Sequence, residues 1–244
     1  PAGIVAVAGF LAVSPLNVLA SRTAGGQAIA IFALMLLVVS GLHMRRGGGK
    51  WWVYSLGIAL GLGFTSDPLF ISGFVALVPV AIWLAKEQTV KPGAERRGIM
   101  GGQWRMVGLV FIITFVLLST SFLLYLPGLG ASFEIAADWL GSFGIPSLSA
   151  TESGLAAPFL TALRYEPALF VLGIPALFWA LARTRKLPWL LAGWWTLLAV
   201  VAIFQPATAG YGLLFTVPGY LLIGLMARYL ADLPNDNTQV ALGV

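Results

Sequence analysis

Long apolar runs alternate with short polar breaks along the chain, and eight of the runs approach the length of a membrane crossing. A helix needs about 20 predominantly apolar residues to cross the hydrocarbon core. The runs cover residues 1–20, 25–44, 51–66, 68–85, 106–126, 167–182, 188–204 and 208–230, the third being short. The stretches around Asp67 and Gln205 read as pairs of runs, because about 35 apolar residues are too many for a single crossing. The expected fold class is all-α: a polytopic transmembrane helix bundle of about eight spans, forming one domain over residues 1–244.

The largest stretch outside these runs, residues 127–165, contains one amphipathic segment. Phe133, Ala136, Ala137, Leu140 and Phe143 recur at helical spacing, while Glu134 and Asp138 fall on another face. Ser132 is a candidate cap. The pattern predicts a short helix over about 132–143, lying in the membrane interface. Residues 144–158, rich in Ser, Gly and Pro, read as irregular.

Composition supports the membrane reading. Apolar residues make up 59% of the chain and charged ones only 9%, against about 25% charged in a soluble domain. So few charges cannot cover a water-exposed surface. The mean hydropathy is +0.92.

The charges then assign sides. Arg45, Arg46, Lys50, Lys86, Lys91, Arg96, Arg97, Arg105, Arg183, Arg185, Lys186 and Arg228 fall on one side of the eight runs. Only Arg22 and Arg164 fall on the other. Basic residues collect on the cytoplasmic side of membrane proteins, so both ends of the chain are expected in the cytoplasm and the 127–165 loop outside, in a cell (inner) membrane. The net charge of +5 is therefore a topology signal, and nucleic acid is not an expected partner. Asp67, Glu134, Asp138, Glu152 and Glu166 fall on the outer side. Acidic residues do not set topology; a water-filled outer cavity is one explanation for their bias. Trp51, Trp52, Trp83, Trp104, Trp189, Trp194, Trp195 and Tyr229 lie near run ends and read as an aromatic belt.

Several chemistries are excluded. With no cysteine and one histidine, His43, there is no disulfide framework, no thiol chemistry and no Ser/His/Asp arrangement on the outer face. A structural zinc site needs about four ligands, so no metal is expected. Gly57 and Gly61 form a GxxxG pair, which reads as a helix-packing surface.

Four charged residues remain as candidates. Asp67 lies between two apolar runs, where a carboxylate is a functional candidate by default; followed by Pro68, it also reads as a helix N-cap. Arg22 and Arg164 each offer a planar fork suited to phosphate or carboxylate, or a charge partner for Asp67, Glu152 or Glu166. Glu166 begins a helix in Arg164-Tyr165-Glu166-Pro167.

The run Gly9-Phe10-Leu11-Ala12-Val13-Ser14-Pro15-Leu16-Asn17-Val18-Leu19-Ala20-Ser21-Arg22 leads into a fresh hydrophobic helix. It is followed by an inner basic loop, Trp51-Trp52, the Gly57–Gly63 helix, a polar break at Thr65-Ser66-Asp67 and, later, Leu163-Arg164-Tyr165-Glu166-Pro167. This order of features, over about three quarters of the chain, resembles the polytopic C-type glycosyltransferase superfamily, nearest the protein O-mannosyltransferase and aminoarabinose transferase relatives. The resemblance implies sugar transfer on the extracytoplasmic face from a polyprenyl-phosphate-linked donor, with no further cofactor. In that family the catalytic carboxylate lies in the first outer loop. This chain opens at Pro1, inside an apolar run, and reads as a fragment lacking that N-terminal part, so no catalytic residue is carried over. Thr23-Ala24-Gly25-Gly26 also replaces a more polar continuation. Arg22 or Arg164 would hold the donor phosphate, and Asp67 and Glu166 would stand near it.

Two alternatives stay open. One is a non-enzymatic membrane subunit within a larger complex, whose partners would be other membrane proteins. The other is a secondary transporter, suggested by helix breaks near Asp67 and Gln205, although no internal repeat is present.

Overall fold

A computed structural model describes residues 2–22, 25–45, 49–88, 101–143, 157–183, 186–205 and 211–231. Every regular element among them is helical: α1 (Ala2–Val13), α2 (Pro15–Arg22), α3 (Gln27–Arg45), α4 (Lys50–Phe64), α5 (Pro68–Gln88), α6 (Gly101–Ser119), α7 (Gly128–Gly141), α8 (Ala157–Tyr165), α9 (Pro167–Leu181), α10 (Lys186–Phe204) and α11 (Tyr211–Ala231). Within hydrocarbon only a helix or a closed barrel satisfies every backbone group, and the uninterrupted apolar runs take the first solution. Pro15, Pro68 and Pro167 each occupy the first position of a helix, where the missing N–H costs nothing.

The protein is a membrane protein with several membrane-crossing helices. Gln27–Met44, Gly102–Ser119, Lys186–Phe204 and Gly212–Ala231 are each long and apolar enough to cross, and Pro68–Trp83 and Pro167–Leu181 are shorter apolar helices.

The helix α8 was not expected from the sequence pattern, and Ala157 and Pro158, read as irregular, form its start; element boundaries depart from the pattern in three further places. The run 1–20 breaks at Ser14 into α1 and α2, because the residue before a proline is driven out of the helical region. The run 106–126 ends at Ser119. Ser121, Phe122 and Leu123 then take left-handed φ angles of 48°, 61° and 69°, a conformation costing roughly 1–2 kcal/mol per non-glycine residue. The turn is closed by the Phe122 N–H on the Leu117 carbonyl at 2.6 Å and the Tyr125 N–H on the Thr120 carbonyl at 2.8 Å. Finally, α7 starts at Gly128 rather than Ser132. Ser132 lies inside the helix and donates to the Gly128 carbonyl at 3.2 Å. A Cβ on Gly128 would sit 1.9 Å from the Ser119 carbonyl oxygen, so the return of the chain onto α6 requires glycine there.

The core centres on α10 and α11, with Trp194, Leu198, Phe215 and Tyr220 fully enclosed. Around them pack α1, α5, α8 and α9, while α4 joins α3 to α6. Gly57 and Gly61 are the contact surface between α4 and α6: a Cβ at Gly57 would lie 2.7 Å from Val110 and one at Gly61 2.6 Å from Thr114. Trp194 and Trp195 do not belong to an aromatic belt. Both are buried, and the Trp194 indole donates to the Gly73 carbonyl at 2.9 Å. Their helix is covered by α5, α9 and α11, so they face protein. Trp51, Trp83 and Trp104 are exposed.

The bundle has two distinct ends. His43 stacks on Trp52, Trp83 meets Trp189, and the Arg183 guanidinium lies 4.0 Å from the Tyr229 ring centroid. These contacts gather the basic helix ends. At the opposite end Gly26 abuts Ser66, and Gly212 abuts Leu16 and Ala162. The polar groups described next lie there.

Candidate functional site

Glu166 stands in the one-residue gap between α8 and α9, with its own N–H on the Ala162 carbonyl at 2.7 Å. Its side chain points into the bundle and is 2% exposed, the only buried acid among the described residues. A charge so placed needs partners, and three donors supply them. The Ser14 hydroxyl donates to Oε1, the Leu16 N–H donates to Oε1 at 3.0 Å, and the Tyr220 hydroxyl donates to Oε2. Ser14 is itself held by Asn17, whose backbone N–H and side-chain Nδ2 donate to Oγ at 3.2 and 3.0 Å.

The geometry follows from two Xaa-Pro breaks. Pro15 frees the first N–H groups of α2, and Leu16 presents one of them to the carboxylate. Pro167 ends the α8 direction and turns Glu166 inward. The carboxylate therefore lies at the N-terminus of α2 and immediately before α9, and the positive end of a helix dipole favours an anion. This explains how a carboxylate is accommodated with hydroxyl and backbone partners in place of a cation. Tyr220 lies about 12 Å along the Gly212–Ala231 helix, at 1.5 Å per residue. Its ring also stacks on Phe10, with centroids 5.3 Å apart.

A second polar junction is uncharged. The Ser72 hydroxyl on α5 donates to Gln205 Oε1 at 2.9 Å, and the Trp139 indole on α7 donates to Ser72 Oγ at 2.9 Å. Gln205, just past α10, donates through Nε2 to the Trp139 carbonyl at 3.2 Å and to Ser142 Oγ at 2.7 Å. Gln205 and Ser72 are fully enclosed. This junction ties α7 to the bundle.

Asp67 caps α5. Its Oδ1 accepts the Leu69 N–H at 2.9 Å, the cap geometry that Pro68 at the first helical position favours. Burial pushes its carboxyl above the ordinary 3.8, and the Leu69 hydrogen bond opposes that shift.

Arg22, at the end of α2, and Arg164, in the last turn of α8, are both exposed. The Arg164 guanidinium lies 5.9 Å from the Tyr165 ring centroid. No hydrogen bond or ion pair joins any two of Arg22, Asp67, Arg164 and Glu166. Glu152 and most of the irregular 144–158 stretch lie outside the described residues, as do Arg46, Lys91, Arg96, Arg97 and Arg185. No group of three or more His, Cys, Asp or Glu side chains able to hold a metal is found among the described residues.

Sequence reasoning named Glu166 but not its partners. Ser14 was submerged in an apolar run, while Gln205 was visible as a polar interruption. Tyr220 carried no local signal beyond a hydroxyl inside an apolar helix.

Comparison with protein-family models, with curated proteins and with solved structures finds no match to this chain.

Proposed function

We propose that the chain is the membrane scaffold of a C-type glycosyltransferase-like protein that uses a polyprenyl-phosphate-linked sugar and transfers it on the extracytoplasmic face. In this reading it crosses a cell membrane about eight times. The basic helix ends face the cytoplasm, α7 lies in the outer interface, and the end carrying Glu166, Asp67 and Gln205 faces outward. The supporting observation is the segregation of polar groups: hydroxyls, a carboxamide and carboxylates gather at one end of the bundle, opposite the basic end. Sugar chemistry needs such groups, and the order of sequence features resembles that superfamily. Arg22 and Arg164, exposed at the polar end, are the candidates for gripping the donor phosphate, since a guanidinium presents paired donors to it.

The test is transfer from a lipid-linked sugar by the full-length protein carrying Arg22→Ala or Arg164→Ala. Loss of transfer with an unchanged thermal midpoint in at least one variant is the expected result. Wild-type transfer in both removes the phosphate-binding role.

One observation favours a second reading, a non-enzymatic subunit of a membrane complex. Glu166 has its known donors within the chain and joins three helical segments, which suits a structural junction. Full transfer by the Glu166→Gln protein would leave Glu166 a structural role only.

A further inference from the structure

The turn after α6 exposes five consecutive large apolar side chains, Phe122 through Leu126, with Leu124 89% exposed. The left-handed backbone at 121–123 turns them outward rather than back onto the bundle. A water-facing turn does not carry such a sequence, since exposed apolar patches of this kind mark an interaction surface.

The surroundings say what covers it. α6 packs chiefly on α4, and few of its residues are buried. Its outward side shows Leu109, Ile112 and Ile113. That surface runs on into α7, because Phe115 meets Phe133 edge-on with ring centroids 6.2 Å apart.

At about 100° per residue, α7 has three faces. Trp139 and Ser132 point to the bundle, Glu134 and Asp138 form an acidic face, and Phe133 and Leu140 form an exposed apolar face between them. The apolar face of α7, the turn and the outward side of α6 are thus one continuous surface. A crossing helix must have lipid along its unpacked side, and the same lipid reaches the turn.

We infer that the 122–126 turn and the Phe133/Leu140 face form a wedge inserted into the acyl region of the leaflet, with Glu134 and Asp138 held toward water. The partner is the hydrocarbon of the bilayer itself. The inference rests on α6 crossing the membrane, and its test separates the two.

The chain contains no cysteine, so single labels are clean. Leu124→Cys, Ile112→Cys and Glu134→Cys would each carry an NBD fluorophore in phosphatidylcholine vesicles, with and without doxyl-labelled phosphatidylcholine. The expected result is blue-shifted emission at 124, quenched by doxyl lipid as fully as at 112. The label at 134 should instead be quenched by aqueous iodide. Quenching at 124 by iodide alone would overturn the wedge, and so would protection at 124 from both quenchers, which would indicate a protein cover. Failure of doxyl quenching at 112 would overturn the crossing by α6, and the wedge with it.

Discussion

The two polar junctions solve the same problem with different chemistry. Both fasten a non-crossing helix to the bundle at the same end: α2 and α8 through Glu166, and α7 through Ser72, Gln205 and Trp139. The first uses one carboxylate as acceptor for three donors, two from the α1–α2 break and one from α11. The second distributes donors and acceptors over neutral groups, each with more than one partner. The charged junction is consequently the more brittle. Removing its single acceptor strands every donor at once, and a stranded buried donor costs far more than an intact hydrogen bond gains. In the neutral junction, loss of one member leaves others paired, since Trp139 still reaches Ser72 and the Ser142 hydroxyl still donates to the Trp139 carbonyl at 2.6 Å.

Glu166→Ala should therefore have the largest effect. Leaving Ser14, Leu16 and Tyr220 without their acceptor should cost about 3–9 kcal/mol, at about 1–3 kcal/mol per buried donor. Tyr220→Phe removes one donor to a charged group and should cost about 1.5–3 kcal/mol. Denaturation in a single detergent would measure both. If Glu166→Ala proves no worse than Tyr220→Phe, the carboxylate is not the hub of its junction.

Gln205→Leu should cost less, about 1 kcal/mol. A loss equal to that of Glu166→Ala would erase the distinction between brittle and distributed junctions.

The smallest effect is expected at Asp67, which caps a helix without joining segments. Because burial raises its folded-state pKa above 3.8, the neutral form is favoured in the fold. Its contribution is fully present below 3.8 and is lost as the pH climbs through the raised value. Asp67→Asn keeps a capping oxygen and should abolish this decline while leaving stability below 3.8 nearly unchanged. A stability profile over mildly acidic pH, identical in both proteins, would contradict the assignment.

How far these features were legible in the sequence depends on their range. The helices α3, α10 and α11 follow from run length alone, because an apolar stretch of about 20 residues carries its own signal. The Asp67 cap was equally readable, since Asp-Pro is a local pattern. The break at Ser14 was hidden by apolar residues on both sides, so hydropathy ran through it. The left-handed turn at 121–123 was hidden for the same reason, in a run where no glycine marks the bend. The pairing of Glu166 with Ser14 and Tyr220 joins residues far apart in the chain, and no local pattern encodes that meeting. Trp194 was misassigned differently: it lies midway along α10, too deep for a headgroup belt, and only the arrival of α5 supplies its indole with an acceptor.

The glycine contact between α4 and α6 bears on how the protein is made. The two helices run parallel, Gly57 beside Val110 and Gly61 beside Thr114, so α5 must be laid down between them in the opposite direction. While the ribosome adds the roughly fifty residues separating Gly57 from Val110, several seconds pass at ordinary synthesis rates. Throughout that interval the α4 groove stands open, waiting for a helix that has not yet been translated. A second membrane segment of suitable shape, or a chaperone of membrane insertion, has that window in which to occupy it, and α6 must then displace the occupant to complete assembly.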